Sequence, residues 1–575
     1  MANTASTKSG ANKNARKATV AEEKQSNRAA PAPSVPDVPQ NVWRAGVILI
    51  FVVAAALRIY DLNLVPLHHD EGVNGNFLVR LVREGSYQYD PENYHGPTLY
   101  YFAALFPWIT RVLFGKPAMD NWGLTTVSVR MVPVVFGLAT IGLVFLLRRW
   151  LGTVATLAAA LLLAVSPGAV YLSRYFIHET QFVFFTLGIV VACLYLYEEQ
   201  NAFYLILAAA SAALLFATKE TAMISVAVLA IALAVTLGLR RLTREKKRGP
   251  KPKGRTRPQP GFLARTVDQF GGPVVLGVCV VLSAFVFAGL WVAFYTSFFT
   301  NAKGFDDSFK TFEVWSKTGS VAHVKPFLTY VFWMFLREGP LLFLGVLGAI
   351  LAFLALFGVL RPKSAFPFFS ALWAFGLLAA YSLIPYKTPW LMLNFVVPFA
   401  LVAGFAVQSI YDLEGSQMRL TGVVLILAIS FATYQSIDLN FINYDNDDNS
   451  YVYVYAHTTR GLLDLVKQID SIAREEDGAR TGITIVSPDY WPLPWYFRNY
   501  TRVGYYGRLT PATEPIIIAS EAQKADVEAN YGEVYQQVMS NQQDGSFELR
   551  PGVRLLLYRR RKGFIPAAPP AAQQP

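Results

Sequence analysis

Long apolar runs recur along almost the whole of this sequence. Eleven of them have about the length that an α-helix needs to cross the roughly 30 Å hydrocarbon core of a bilayer. Composition agrees, because 53% of the residues are apolar and only 16% are charged, whereas soluble domains carry about 25% charged residues. The sequence therefore predicts a polytopic α-helical membrane protein. The predicted spans lie at 43–60, 124–147, 151–171, 180–197, 202–217, 221–239, 273–296, 340–359, 366–384, 390–410 and 420–437.

The net positive charge of the chain comes from two segments. Residues 1–44 hold seven Lys and Arg against three acidic residues, and residues 240–265 hold eleven against one. Their combined charge exceeds the net +12 of the whole chain, so the remainder is slightly acidic. Both segments border an apolar run, as cytoplasmic segments do under the positive-inside rule. The basicity is thus an orientation signal, and we expect no nucleic-acid partner.

Alternation of the spans assigns each loop to one side of a cell membrane. With a disordered, basic N-terminal segment (1–42) in the cytoplasm, the basic loop 240–265 is also cytoplasmic, and the long loops 61–123 and 297–339 lie outside. This scheme requires residues 97–114 to lie in the outer interface without crossing, as their aromatic, proline-interrupted sequence allows. The predicted transmembrane domain covers residues 43–437.

After residue 437 the pattern becomes that of a soluble domain. Residues 461–477 show apolar positions at helical spacing, and short apolar runs follow at 481–487, 515–520 and 553–560, which is typical of strands. We expect an extracytoplasmic α/β domain at 438–563 and a disordered Pro- and Ala-rich tail at 564–575.

The densest polar motif, HHDEG at 68–72, directly follows the first span. It contains His69, Asp70 and Glu71, and such imidazoles and carboxylates can bind a divalent cation or supply a general base. A charged outer loop of no further consequence is the alternative. All six histidines fall on the outer side in this topology, so the ionisable groups gather on one face.

Further ionisable residues lie where other spans reach the same face. The motif SRYFIHET places Arg174, His178 and Glu179 at the end of the third span, and a continuous helix would put the first two on one face. Lys219 and Glu220 follow the fifth span. The alternatives are a snorkelling arginine with a polar helix cap, and a local Lys219–Glu220 contact.

Two more candidates stand in proline-containing turns. Lys387 lies in IPYKTPW between two spans, and His95 lies in NYHGPTLYYF before the interfacial stretch. An interfacial anchor and an ordinary turn are the respective alternatives.

The order and sidedness of these motifs resemble the GT-C class of membrane glycosyltransferases. The resemblance rests on the acidic pair after the first span, HGPTLYY, the start of the next span at Arg130 to Pro133, the polar motif after the third span, and TK after the fifth. Within the class, the chain is similar to the protein O-mannosyltransferase and aminoarabinose-transferase group. It most resembles the flippase-activity-associated family of archaeal-type N-glycosylation, through HHDEG, RYFIHE, PYKTPW and WPLPWYFRNY (491–500).

The resemblance implies transfer of a sugar from a polyprenyl-phosphate carrier, with inversion, to a glycan, lipid or protein acceptor at the outer face. Asp70 matches the catalytic acidic residue of the class, and Glu71 is the second catalytic candidate. The leaving phosphate needs cations or hydrogen-bond donors, for which Arg174, Lys219, Lys387 and His95 are candidates.

A divalent metal (Mn, Mg or Zn) is the expected cofactor, but the sequence leaves the need for it open. Its candidate ligands are Glu71, His178, Glu179 and His69. His178–Glu179 replaces the acidic pair found at this motif in metal-dependent relatives.

Two hypotheses of function remain at this point: a glycosyltransferase, or a nonenzymatic accessory or carrier that uses the same cations to help lipid-linked sugars cross the membrane. If the acceptor is a phosphate, no base is required and Asp70 only orients it. The aromatic residues of WPLPWYFRNY either stack on sugars or form part of the domain core.

Overall fold

The computed structural model describes residues 38–93, 95–115, 122–247, 262–321, 323–360, 364–412, 416–540 and 544–563. Most of the predicted segment 1–42, the middle of the basic loop 240–265 and the tail 564–575 lie outside these residues. In chain order the longer helices are α1 (Gln40–Ile59), α2 (His69–Glu84), α3 (Thr98–Phe114), α4 (Thr126–Leu146), α5 (Thr153–Val165), α6 (Pro167–Ser173), α7 (Glu179–Glu199), α8 (Ala202–Phe216), α9 (Ala222–Lys247), α10 (Phe262–Gln269), α11 (Pro273–Tyr295), α12 (Lys303–Val321), α13 (Thr329–Arg337), α14 (Gly339–Leu356), α15 (Phe366–Leu383), α16 (Leu393–Tyr411), α17 (Ser416–Ile437), α18 (Gly461–Glu475) and α19 (Lys524–Tyr531).

Within the described residues, nine helices are long and apolar enough to cross a membrane: α1, α4, α7, α9, α11, α14, α15, α16 and α17. The bent pair α5 and α6 makes ten if it counts as one span. The remaining predicted run, 202–217, forms the 15-residue helix α8, which is shorter than a full span. The predicted polytopic architecture is confirmed. Two of the eleven predicted spans differ from a single full-length helix: 151–171 is bent, and 202–217 is short.

The bend between α5 and α6 has a local cause. Pro167 cannot continue the hydrogen bonding of α5, and the Ser166 hydroxyl accepts a hydrogen bond from Ala169 N at 3.2 Å to start a new helix. The two helix axes differ in direction by 61°. The chain therefore turns at the end of this predicted span, where the polar SRYFIHET motif follows.

Helix α16 is the centre of the helical bundle. It is buried along nearly its whole length, and it packs against α5, α14 and α15. Helix α11, in contrast, is apolar on all sides and mostly exposed, as expected of a helix that faces lipid.

The C-terminal region forms a six-stranded mixed sheet with helices on both faces. Its strands are β1 (Ile483–Ile485), β2 (Val503–Tyr505), β3 (Ile516–Ser520), β4 (Tyr535–Val538), β5 (Phe547–Arg550) and β6 (Val553–Arg560). Their order is β2-β1-β3-β6-β4, with β5 also paired to β6, and the three strands β2, β1 and β3 are parallel. The predicted α/β domain is thus confirmed.

Alternation along β3 explains why this sheet is covered on both faces. Ile516 and Ile518 pack against α18, whereas Ile517 and Ala519 belong to the cluster of Val527 on α19. Successive side chains of a strand point to opposite faces, so one apolar strand contributes to two cores.

Candidate functional site

A cavity of about 260 Å³ lies where the start of α2, the start of α7, the α8–α9 turn and the α15–α16 turn meet. Seven of the residues that the sequence selected line it: His69, Asp70, His95, His178, Glu179, Lys219 and Glu220. These residues come from four separate motifs, so the cavity is a property of the tertiary structure.

The HHDEG motif forms the N-terminus of α2. His68 is the capping residue, and its Nδ1 accepts a hydrogen bond from Asp70 N at 3.1 Å. The Asp70 side chain remains 40% exposed and lines the cavity. Neighbouring helical residues point about 100° apart, so the carboxylate of Glu71 points instead into the protein, where it is fully buried.

Glu71 is held by a bidentate ion pair with Arg130 on α4. Arg130 Nε donates to Glu71 Oε1 at 2.8 Å, and Arg130 Nη2 donates to Oε2 at 2.6 Å. The same two oxygens also accept from Phe176 N at 2.8 Å and from His68 N at 3.0 Å. These four bonds use the four lone pairs of the carboxylate. Glu71 therefore has a structural environment that does not fit its expected roles as a catalytic group or metal ligand.

Arg130 itself was noted in the sequence only as part of the motif that starts a span. Its remaining donors bond to the carbonyls of Leu62, Val65 and Pro66. Arg130 thus fixes the segment that leads into the HHDEG motif. The sequence alone could not predict this role, because it depends on which loop packs over α4.

Lys219 and Glu179 form a buried ion pair in the wall of the cavity. The Lys219 ammonium donates to Glu179 Oε1, and each side chain is less than 5% exposed. The local Lys219–Glu220 alternative is replaced by this contact between distant residues, although Glu220 also lines the cavity. Burial disfavours the ammonium, but the carboxylates of Glu179 and Glu220 outweigh this and raise the pKa of Lys219.

The HGP motif docks on the turn that carries Lys219. His95 and Lys219 form an isolated β-bridge, and Gly96 N donates to Thr218 O at 3.0 Å. A Cβ at Gly96 would lie 2.0 Å from the carbonyl oxygen of Ala217, so only glycine permits this approach. His95 Nδ1 lies 3.2 Å from Glu220 Oε2, which brings the imidazole to the cavity.

His178 is the N-terminal cap residue of α7. Its Nε2 lies 3.0 Å from the carbonyl oxygen of Gly96, and the ring is 2% exposed. Burial, reinforced by the nearby His95 and Lys219, keeps the pKa of His178 well below its ordinary value. The imidazole is therefore neutral near pH 7.

Arg174 and His178 do not share a helix face, contrary to the prediction. Helix α6 ends at Ser173 and α7 begins at Glu179, so the chain between them is not helical. Arg174 turns to the C-terminal end of α1, where it donates to the carbonyls of Leu57 at 3.3 Å and Asp61 at 2.9 Å. Such bonds satisfy carbonyls that have no partner within a helix. Arg174 lies outside the large cavity and lines a separate, smaller one.

Lys387 lies next to the cavity but does not line it. Its side chain is 1% exposed, and its ammonium donates to the carbonyl of Ile384 at 2.6 Å. Its neighbour Tyr386 lines the cavity instead. The predicted phosphate contact of Lys387 is therefore not available in this conformation.

The expected metal ligands do not converge. Glu71 is saturated on the far side of α2, and one oxygen of Glu179 is bound by Lys219. Across the residues that the structure describes, no group of three or more His, Cys, Asp or Glu side chains is arranged to hold a metal ion. The ligand set expected from the sequence is therefore not assembled in this structure.

The cavity also has lining residues that the sequence did not select. They are Trp315 on α12, His323, Tyr386 and Trp390. The His323 carbonyl accepts from Lys387 N at 3.1 Å, which joins the loop after α12 to the α15–α16 turn. The sequence offered one indication that His323 belongs to the site, because all six histidines fall on the same predicted side of the membrane.

The WPLPWYFRNY segment packs against the helix that carries Asp70. Trp495 is 1% exposed and lies against Gly75 of α2, and Pro492 lies against Gly72. The Tyr496 hydroxyl accepts a hydrogen bond from Leu67 N at 2.9 Å. Of the two interpretations, these contacts favour core packing, here between the C-terminal domain and α2.

Residues 96–249 match the family model described as dolichyl-phosphate-mannose-protein mannosyltransferase. Among solved structures, ArnT from Cupriavidus metallidurans in the apo state is similar, with 13% identity and a TM-score of 0.51 over 90% of this chain and 97% of that chain. Archaeal oligosaccharyltransferase AglB from Archaeoglobus fulgidus, in complex with an inhibitory peptide and a dolichol-phosphate, has 12% identity and a TM-score of 0.51 over 92% of this chain and 75% of that chain.

No curated protein matches the sequence. At these identities, the structural likeness establishes the fold, which is that of the GT-C glycosyltransferases. The predicted GT-C resemblance is confirmed at this level. The narrower likeness to the flippase-activity-associated family stays a prediction.

Proposed function

We propose that this protein is a membrane glycosyltransferase that moves a sugar from a polyprenyl-phosphate carrier to an acceptor. The observation that carries the proposal is the pairing, in one cavity, of the exposed Asp70 carboxylate with the buried Lys219 cation. A base and a fixed cation are the two groups that displacement of a sugar from a phosphate requires. The GT-C fold and the match of residues 96–249 support the same class.

The proposed reaction is a single displacement at the anomeric carbon. The acceptor hydroxyl oxygen forms a bond to this carbon as the bond from the carbon to the phosphate oxygen breaks. Asp70 accepts the hydroxyl proton, and the polyprenyl phosphate leaves with the electron pair. One displacement inverts the configuration of the anomeric carbon.

Lys219 is the group that we assign to the leaving phosphate. One of its three N–H donors bonds to Glu179, so two remain for phosphate oxygens. A cation held in place by a buried partner needs little rearrangement when charge develops, which is the condition for electrostatic stabilisation of a transition state.

The lipid carrier fits the architecture around the cavity. The cavity is formed at the ends of long apolar helices, so a prenyl chain can remain among lipid-facing side chains while its phosphate reaches Lys219. AglB, one of the structural relatives, is described in complex with a dolichol-phosphate. We place the cavity on the extracytoplasmic face of a cell membrane, with the N-terminus in the cytoplasm, because the two basic segments flank spans at the opposite ends.

The test is transfer of radiolabelled sugar from undecaprenyl-phosphate mannose or undecaprenyl-phosphate glucose to acceptors in membranes that contain the protein. We expect Asp70→Asn to lower transfer at least about 100-fold. Asp464→Asn is the matched control, because its carboxylate is exposed on α18 of the C-terminal domain.

Equal transfer by wild type and Asp70→Asn would refute a catalytic role for Asp70. The carrier hypothesis requires cations but no base. Cell-surface glycosylation that persists in the Asp70→Asn variant, without measurable transferase activity of the wild-type protein, would support the carrier instead.

A further inference from the structure

Two buried acceptor atoms in the cavity have no hydrogen-bond partner among the described residues. They are Nδ1 of His178 and Oε2 of Glu179. The two residues are adjacent in sequence, both line the cavity, and both are at most 2% exposed. Buried polar atoms in proteins are mostly paired, and these two belong to neighbouring residues at a cavity, where a ligand can supply the missing hydrogen bonds.

The contacts of His178 show whether its Nδ1 donates or accepts a hydrogen bond. A carbonyl oxygen only accepts hydrogen bonds, so the Nε2 atom at 3.0 Å from Gly96 O carries the proton. The ring is buried beside the Lys219 ammonium and 5.0 Å from the His95 ring, an environment that disfavours a second proton. Nδ1 therefore carries an unpaired lone pair, on a residue that lines the cavity.

Glu179 presents an acceptor in the same place. Its Oε1 accepts a hydrogen bond from the Lys219 ammonium, and its Oε2 has no partner among the described residues. The subsite therefore consists of two fixed acceptors. A phosphate oxygen also only accepts hydrogen bonds, so the phosphate group cannot satisfy these two atoms, whereas hydroxyl and amino groups can.

Adjacent hydroxyl groups extend this wall. Thr221 and Tyr381 line the cavity, and both are at most 3% exposed. A hydroxyl can both donate and accept, so these two residues are suited to complete the hydrogen bonding of a polyhydroxylated ring.

We propose that His178 and Glu179 form the subsite that recognises hydrogen-bond donors, namely the hydroxyl or amino groups, of the transferred sugar. This inference rests on the proposed function and assigns to these two residues a role in sugar recognition in place of metal binding. It also divides the cavity: the sugar ring lies against His178 and Glu179, and the phosphate lies against the free donors of Lys219.

The experiment compares lipid ligands with and without a sugar. Affinities are measured for bare undecaprenyl phosphate and for undecaprenyl phosphate carrying mannose, glucose or 4-amino-arabinose, with purified protein and no acceptor. The variant His178→Gln keeps a donor for the Gly96 carbonyl but removes the Nδ1 acceptor. Because Nδ1 has no protein partner, we expect this variant to fold.

The wild-type protein should bind at least one sugar-bearing lipid more tightly than the bare lipid. His178→Gln should lower that affinity about tenfold or more and leave the affinity for bare undecaprenyl phosphate unchanged. His178→Asn, whose amide oxygen occupies the Nδ1 position, should retain part of the preference.

Equal affinity of the wild-type protein for bare and sugar-bearing lipids would overturn the proposal, as would an equal loss for both ligands in His178→Gln. Thr221→Val is a second variant that preserves shape, and it should weaken only the sugar-bearing lipids. The binding assay contains no acceptor, so its result does not depend on transfer. Discrimination between bare and sugar-bearing lipids, together with no transfer by the wild-type protein in the separate assay with acceptors, would refute the proposed function while leaving the sugar subsite intact.

Discussion

Asp70 and Glu71 are neighbours in the chain, but their carboxylates have opposite surroundings. The Asp70 side chain is 40% exposed and lines the cavity, whereas Glu71 is fully buried in its ion pair with Arg130. The first is placed to react, and the second holds the helix that carries the first. Equivalent substitutions at these two positions therefore separate chemistry from stability.

Replacing Glu71 by glutamine should destabilise the protein, because it leaves the buried Arg130 guanidinium without its counter-charge. Loss of one partner of a buried ion pair costs about 3–5 kcal/mol of unfolding free energy. Thermal unfolding in detergent measures this loss, with Asp70→Asn as the matched control that we expect to unfold like the wild type. An unchanged unfolding midpoint for Glu71→Gln would contradict the structural role of the pair.

Lys219 and Glu179 should show strong coupling. Lys219→Met or Glu179→Gln alone removes one partner of the buried ion pair, and each should lower the unfolding free energy by about 3 kcal/mol or more. The double variant removes both charges and should recover most of that stability, but it should not transfer sugar. A double-mutant cycle in thermal unfolding checks the coupling, and additive losses would show that the two side chains do not depend on each other.

Contact between α2 and the C-terminal domain should matter for transfer. A Cβ at Gly75 would lie 2.7 Å from the ring of Trp495, so Gly75→Ala must displace one element. We expect a loss of about 1–3 kcal/mol in unfolding free energy and slower transfer, since α2 carries Asp70. Adding Trp495→Phe to Gly75→Ala provides a smaller ring, so this double variant should partly recover both the stability and the rate of transfer.

Gly289→Ala provides the control for that experiment, because the space around Gly289 on α11 is open. Transfer by Gly75→Ala at the wild-type rate would argue against positioning of Asp70 through this contact.

The stability of the protein should fall as the pH rises towards neutrality, because of Glu338. This buried carboxyl group, between α13 and α14, accepts hydrogen bonds from Ser166 Oγ at 2.9 Å and Gly168 N at 2.9 Å. Burial raises its pKa to about 7, and these hydrogen bonds oppose the shift only in part. The folded protein thus binds a proton that the unfolded chain releases near pH 4.5.

The contribution of Glu338 to stability is therefore complete below about pH 4.5 and is lost between there and about pH 7, a change on the order of 3 kcal/mol. Unfolding temperatures measured from pH 5 to pH 8 test this dependence. Glu338→Gln should remove the part of the pH dependence that comes from Glu338. Parallel curves of unfolding temperature against pH for the variant and the wild type would exclude Glu338 as the cause of that dependence.

Much of the fold was predictable from local patterns. Apolar runs long enough to cross a bilayer indicated the spans, because hydrocarbon imposes the same length on every helix that crosses it. Alternation in the C-terminal region indicated strands in the same way. The sequence did not indicate that one run would bend at Pro167, since a proline within an apolar run is also compatible with a kinked, continuous helix.

The sequence by itself determined that this is a polytopic membrane protein, and it determined which motifs carry the polar residues. Only the tertiary structure decided which of these side chains meet. Arg174 bonds to carbonyls at the C-terminal end of α1, Lys387 bonds to the carbonyl of Ile384, and Glu71 pairs with Arg130. Asp70, Glu179 and Lys219, in contrast, line one cavity. A charged residue must be paired where it is buried, and its partner is set by contacts between distant segments that no local motif contains.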